Sequence, residues 1–331
     1  MEKLIANQTE AIDVKKRLLE AKAQVRFRKL FNNIAEDVSN LLLTTQNINS
    51  NDIAKNYRPD FVGALRETYR EVIKVFGFSL RQEAEKKFKV NFEIKNKPIE
   101  YKLETTPTQE REVNKDFSME AVLFINNRSE IQADIITDTN GRQIQDNIDK
   151  SVSEYNVLLA DNMAKQDKLN EQLTNIGIAI LLGAATEKDR INIGKELEKL
   201  KTQNQLLIDN RNPIISRGFK NNFTDASKNR SEIISEYEVG QTESFIRQKE
   251  AESIDKVVLS ATIINIKKNW ASVGDSKVRD DHVIADKTYR FNPIPVDEYF
   301  FVGGEKLKAP RLGSIPSNNI RCRCNSLYIF Q

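Results

Sequence analysis

Histidine and tryptophan occur once each in this 331-residue chain, cysteine twice and methionine three times. Each scarcity excludes something. Two cysteines one residue apart (Cys322, Cys324) cannot build a disulfide framework, and bridging them to each other would be strained, so reduced thiols are expected, as in a cytoplasm. A single imidazole leaves one candidate base for Ser or Cys nucleophilic chemistry. With 12 glycines and 8 prolines, the chain is poor in the residues that punctuate loop-rich and all-β folds. It also lacks a membrane-spanning run. The longest apolar stretch, Ile176–Ala185, has ten residues where a spanning helix needs about 20, and it is read as a buried helix segment. The first residues show no apolar core of a signal peptide. The net charge of +3 is too small for global electrostatics to select a polyanionic partner, so any such partner must meet a local patch.

What is present is charge and helical periodicity. Charged residues make up 30% and hydrophobic ones 39%, which favours a helix-rich protein of two or three domains. Residues 10–45 predict a long helix with Leu18, Val25, Leu30, Ile34, Val38 and Leu41 on its apolar stripe. Lys15, Lys22, Arg26 and Lys29 share another face, which suits phosphate or an acidic partner, or simply water. Residues 46–59 read as a loop, and Asp60 as the cap of a helix running to Lys87 through Phe61, Leu65, Val72, Val75 and Phe76. Alternation over Phe88–Ile94 and Ile99–Leu103, across Lys95–Pro98, predicts a β-hairpin arm. From Phe117 to Asn210 the pattern is helical again, with Gly141 and Gly183 as interruptions and Ile131, Ile135 and Ile136 on one face. Thr186 caps the second half, and residues 150–205 suit a protruding antiparallel helix pair. The polar stretch 209–230 reads as the start of a new unit, followed by helices over 231–238 and 241–260 and a strand over Thr262–Trp270.

The expected fold is therefore mainly α: long helices and helical hairpins, a small β-hairpin arm and a small C-terminal α+β module. The expected segments are residues 1–87, 88–115, 116–210 and 211–331.

The chemically capable residues gather between Lys268 and Cys324, where Trp270, His282 and both cysteines fall together with half of the prolines. His282 follows Asp280 and Asp281, which can orient an imidazole, but no nucleophile elbow accompanies it. His282, Cys322 and Cys324 are candidate zinc ligands, with Asp280, Asp281 or Asp286 as a fourth; two thiolates and an imidazole suit zinc over magnesium. A packed histidine with two buried thiols explains the same residues without a metal. Lys306, Lys308, Arg311, Arg321 and Arg323 form a basic cluster that can meet phosphates and can lower a neighbouring thiol's pKa.

The order of these residues carries a resemblance. Lys268-x-Trp270, then Asp275-x-x-Val278-Arg279-x-x-His282, Phe291, a Pro/Gly stretch and Asn319-Ile320-Arg321-Cys322-Arg323-Cys324 resemble the phage head-morphogenesis family of Mu F-like minor head proteins. Upstream, Arg230-x-x-Ile233 and Glu238 are similar to that family's Arg-Thr-Glu helix, so the resemblance spans residues 225–326. Arg321 stands where the family has an asparagine before its C-R-C, and the Pro-x-Asp element is absent near Pro310. The resemblance marks Glu238, Trp270, Asp275, Arg279, His282, Cys322, Arg323 and Cys324 as module-defining positions, with no catalytic role to carry over. It implies a non-enzymatic virion protein inside the head near the portal, made in the host cytoplasm, that serves head assembly and genome packaging, retention or delivery. Its partners would be the portal protein, the major capsid or scaffolding protein and genomic DNA, with no membrane. Two other readings stand beside it: an enzyme or toxin, a nuclease or a group transferase, centred on Arg279 and His282, and an internal DNA-binding virion protein.

Overall fold

The computed structural model describes residues 2–45, 47–77, 79–88, 112–255, 258–259, 262–263 and 265–331. The chain is mainly α with a small α+β module near its end. It divides into two compact units, one of residues 1–29, 59–135 and 228–331, the other of residues 30–58 and 136–227. Both are discontinuous in sequence, so the consecutive segments drawn above do not map onto them one to one.

Helix α1 (Glu2–Thr44) is rotated from its expected register. Its buried stripe is Leu19, Ala23, Phe27, Phe31, Ile34, Val38 and Leu42, whereas Leu18 and Val25 are 64% and 69% exposed and Leu41 lies on the exposed side. The two phenylalanines, one turn apart, carry the most area and decide which face turns inward. The expected loop 46–59 holds a short helix, α2 (Ser50–Asn56), whose Asn49 cap accepts from the Asp52 N–H. The helix expected over residues 60–87 is two, α3 (Arg58–Phe76) and α4 (Ser79–Phe88), split at Gly77. Val75, expected on the apolar face, is exposed, and Tyr69 and Ile73 are buried instead. The predicted hairpin arm falls on residues 89–111, outside the described residues.

Helix α5 (Glu112–Leu181) runs through Gly141 without a break. A Cβ at that position would lie 2.2 Å from Asn51 Oδ1, so the glycine serves a close approach. Ile131 and Ile135 are exposed; Ala133 and Ile136 hold the inner face with Ser129 and Asn140. The helix ends at Leu181, the chain turns through Gly183 (φ +72°), and α6 (Glu187–Asp209) opens on a Thr186/Asp189 capping box. In the second unit α6 packs on α5 with Tyr155 OH donating to Leu207 O (3.2 Å) and Asn204 Nδ2 to Gln166 Oε1 (2.7 Å). The Ile176–Ala185 run is not the buried segment expected: Ile176 is buried, but Ile178, Leu181 and Leu182 are 60%, 87% and 78% exposed. An antiparallel pair buries one face of each helix, and this run is apolar on both.

Residue 211 lies within the second unit, and the first unit resumes at residue 228, inside the stretch 209–230. Helix α7 (Arg211–Ile254) is continuous, because Phe219 and Phe223 are buried one turn apart and the amides and hydroxyls around them take the remaining face. Past it, β1 (Val258–Leu259) pairs antiparallel with β2 (Thr262–Ile263). Strand β3 (Ile266–Ala271) is central in a three-stranded antiparallel sheet; helix α8 (Asp280–Tyr289) follows it, then its edge strand β4 (Ile294–Pro295). Strands β5 (Phe300–Val302) and β6 (Glu305–Leu307) make a hairpin, and a turn of helix, α9 (Pro316–Asn319), leads to the other edge, β7 (Asn325–Phe330). β3 and β7 pair from Ile266↔Phe330 to Ala271↔Asn325. Among the described residues of the first unit, apolar clusters gather Leu80, Ala251, Ile254, Val296 and Phe330 in one, Ile5, Ala271 and Leu327 in another, and Trp270, Phe300, Leu307 and both cysteines in a third.

Candidate metal centre and groove

The third cluster contains the candidate site. His282 faces inward from the first turn of α8, and Cys322 and Cys324 come from the segment between α9 and β7. Nδ1 of His282 lies 3.4 Å from Cys324 Sγ and 3.5 Å from Cys322 Sγ, and all three residues are buried. Their ligand atoms lie within 4.8 Å of one another, so one ion can be held by all three. A hydrogen bond between the thiols sets their acidities apart. It holds Cys322 well below the usual thiol range against the effect of burial, helped by His282 and Arg311, and pushes Cys324 well above it. The group is therefore poised to lose a proton from Cys322, as metal binding requires.

The expected carboxylate ligand is not there. Asp280 and Asp281 are exposed, and Asp286 is turned toward Arg290 (Oδ2–Nη2 2.8 Å) and the Ser272 N–H (3.0 Å). The other module-defining residues build the frame. Trp270 presents its ring edge-on to His282 (centroids 5.5 Å apart, 82°) and to Phe300 (5.4 Å, 79°). Asp275 pairs with Arg323 (2.6 Å to Nη1) and Arg279 Nη2 donates to Ile320 O, so two arginines pin the cysteine segment from outside. Glu238 belongs elsewhere: on α7 it accepts from Tyr69 OH (2.6 Å) and from Arg128 Nε (3.1 Å).

Sequence reasoning missed Arg311 as a core residue. It is 3% exposed, adopts φ +66°, and donates to Cys324 O (3.3 Å). A Cβ at Gly240 would lie 2.6 Å from its guanidinium carbon. A glycine in mid-helix was the signal, since it costs about 1 kcal/mol unless something must come close. Arg311 is thus unavailable to DNA, and Arg26 is engaged by Glu67 (3.0 Å) and Glu71 (2.7 Å). Lys15, Lys22 and Lys29 are exposed. Lys306 lies over the Phe301 ring and Lys308 over Tyr299.

A groove of about 540 Å³ opens in the same unit, lined by Phe124, Gln241, Phe245, Gln248, Lys249, Glu252, Lys308 and Leu312. Phe124 and Phe245 stack on one another (4.2 Å, 16°). Glu252 accepts from Gln248 Nε2 (2.9 Å) and lies 3.4 Å from Lys249 and 3.6 Å from Lys308. Behind Gln248, Lys268 is buried, donating to Lys308 O (2.7 Å), and burial with nearby Lys308 lowers its pKa to about 7. The groove was not anticipated, because its parts lie far apart in sequence on three elements.

No family model matches the sequence, and no solved structure matches it. A curated protein does: the NAD(+)–arginine ADP-ribosyltransferase EFV of Enterococcus faecalis, 31% identical over 109 residues. The matched stretch is 33% of this chain and 20% of that enzyme, so the chain spans about a fifth of the relative's length. This likeness corrects two expectations, the purely structural role in a phage head and the absence of catalysis, since the relative is named for enzymatic group transfer.

Proposed function

We propose that this chain works in group transfer of the ADP-ribosylating kind, with a terminal module braced by a zinc ion on His282, Cys322 and Cys324. The likeness to an arginine ADP-ribosyltransferase carries this reading. The groove supports it with suitable parts. The stacked Phe124–Phe245 pair suits a flat heterocycle, Lys249 and Lys308 suit a pyrophosphate, and Glu252 stands among them as an anion. In the transfer the bond from ribose C1′ to the nicotinamide nitrogen breaks and nicotinamide leaves with the electron pair. A guanidinium nitrogen then bonds to C1′ and gives up a proton. A carboxylate in the position of Glu252 stabilises the cationic sugar and takes that proton.

The His282, Cys322 and Cys324 group has a different task in this reading. Its three ligating residues are all buried, which suits a brace, and an ion there would take its fourth ligand from outside the expected aspartates. The terminal module remains of the head-morphogenesis kind by its residue order, and it frames the unit that carries the groove. Full-length protein with NAD labelled in its adenosine and polyarginine as acceptor should transfer label, and Glu252→Gln should reduce transfer at least about a hundredfold with unchanged folding. Absence of both label transfer and nicotinamide release at millimolar NAD would overturn the reading. Elemental analysis should find one zinc per chain, lost in Cys322→Ser.

A further inference from the structure

We infer that the end of the α5–α6 hairpin inserts into the surface of a lipid bilayer. This goes beyond the proposed activity and does not depend on it. No residue between Glu171 and Glu187 carries a charge. Within that stretch Ile176 faces in, while Ile178, Leu181 and Leu182 face out at 60%, 87% and 78% exposure, and Gly183, Ala184 and Ala185 complete the tip. Isolated exposed leucines need no explanation, but an uncharged cap of this kind does.

Hydrocarbon sets a second condition, that backbone groups be satisfied within the segment. The turn meets it. Leu182 N donates to Ile178 O (3.1 Å), Gly183 N to Ile180 O (3.0 Å) and Ala184 N to Ala179 O (2.8 Å). On the other side Thr186 N donates to Asp189 Oδ2 (2.9 Å) and Asp189 N to Thr186 Oγ1 (3.3 Å).

The chemistry favours lipid over a protein groove. A protein interface makes about one hydrogen bond per 100–200 Å² and carries a polar rim. Between Asn175 and Thr186 the tip offers no polar side chain to make one. A bilayer asks for none. Behind the tip the charges return at once, with Lys168 and Glu171 on α5 and Glu187, Lys188 and Arg190 on α6, at the level headgroups would occupy. Among the described residues no helix is long and apolar enough to cross a membrane, so the hairpin enters one leaflet from the side, to a depth of about 5–10 Å.

The test uses the full chain with phosphatidylcholine vesicles, with and without phosphatidylglycerol. The protein should co-sediment with both. A fluorophore on Leu182→Cys, specific because the native cysteines are buried, should shift to the blue and be quenched by shallow spin-labelled lipid. Leu181→Glu with Leu182→Glu should lower partitioning at least about tenfold at unchanged helix content. Absent vesicle binding, or equal binding by the double variant, would overturn the inference. So would self-association that the same double variant abolishes in the absence of any vesicle binding, which would assign the tip to a second copy of this chain.

Discussion

Two stretches of long helix invert the usual division of polar and apolar residues, in opposite senses. Over residues 238–250, α7 buries Glu238, Glu243, Arg247, Gln248 and Glu250. At the end of α5, leucines stand in water. The difference lies in partners. These buried charges on α7 are matched: Glu238 by Tyr69 and Arg128, Glu243 by Arg247 (3.0 Å), Arg247 also by Ser326 O (2.9 Å), Glu250 by the Leu80 N–H (3.1 Å). A charge is tolerated inside when its geometry is complete. An apolar tip has no such recourse within its own unit, and its remedy must come from outside.

The comparison can be broken from either side. The largest effect is expected from removing one member of an α7 pair: Arg247→Ala or Glu238→Ala should cost about 3–5 kcal/mol of unfolding free energy in urea, because the partner is left charged and buried. A loss below about 1 kcal/mol would show the pairs to be solvated.

Next comes Lys268. Its folded pKa of about 7 lies below the ordinary 10.5, so between these values the unfolded chain binds more protons than the folded one. Stability should therefore rise with pH through that window, by up to about 1.4 kcal/mol per pH unit from this group, and be indifferent to it below about pH 7. Lys16, also lowered by burial, contributes in the same sense. Denaturation midpoints across pH 7–10 should show the rise, and Lys268→Met should flatten it.

The smallest effect belongs to the tip. Leu181→Glu with Leu182→Glu should leave the unfolding free energy within about 0.5 kcal/mol, since exposed side chains lose little on replacement. A larger loss would mean that the leucines are packed in solution.

This contrast also explains what could be read from the sequence. The α-rich class, the terminal module and the convergence of His282, Cys322 and Cys324 were legible, because helical periodicity and the ordering of rare residues are local signals. Registers were not. In α1 two phenylalanines outweighed the Leu18–Val25 stripe, a contest of buried areas that spacing alone cannot weigh. The polar interior of α7 was invisible for a related reason: periodicity counts apolar residues, and here the inward face is charged. The groove needed three-dimensional neighbours, as did the exposure of Leu181, which depends on how polar a face α6 presents.

The link between Lys16 and Asn325 carries a kinetic consequence. The lysine Nζ donates to the Asn325 side chain at 2.6 Å, across 309 residues of sequence. Closing so long a loop is slow relative to forming the helices. Until β7 docks against β3, Lys16 lacks its most distant partner. The first unit should therefore refold in at least two phases, with helix content recovered early and Trp270 fluorescence late.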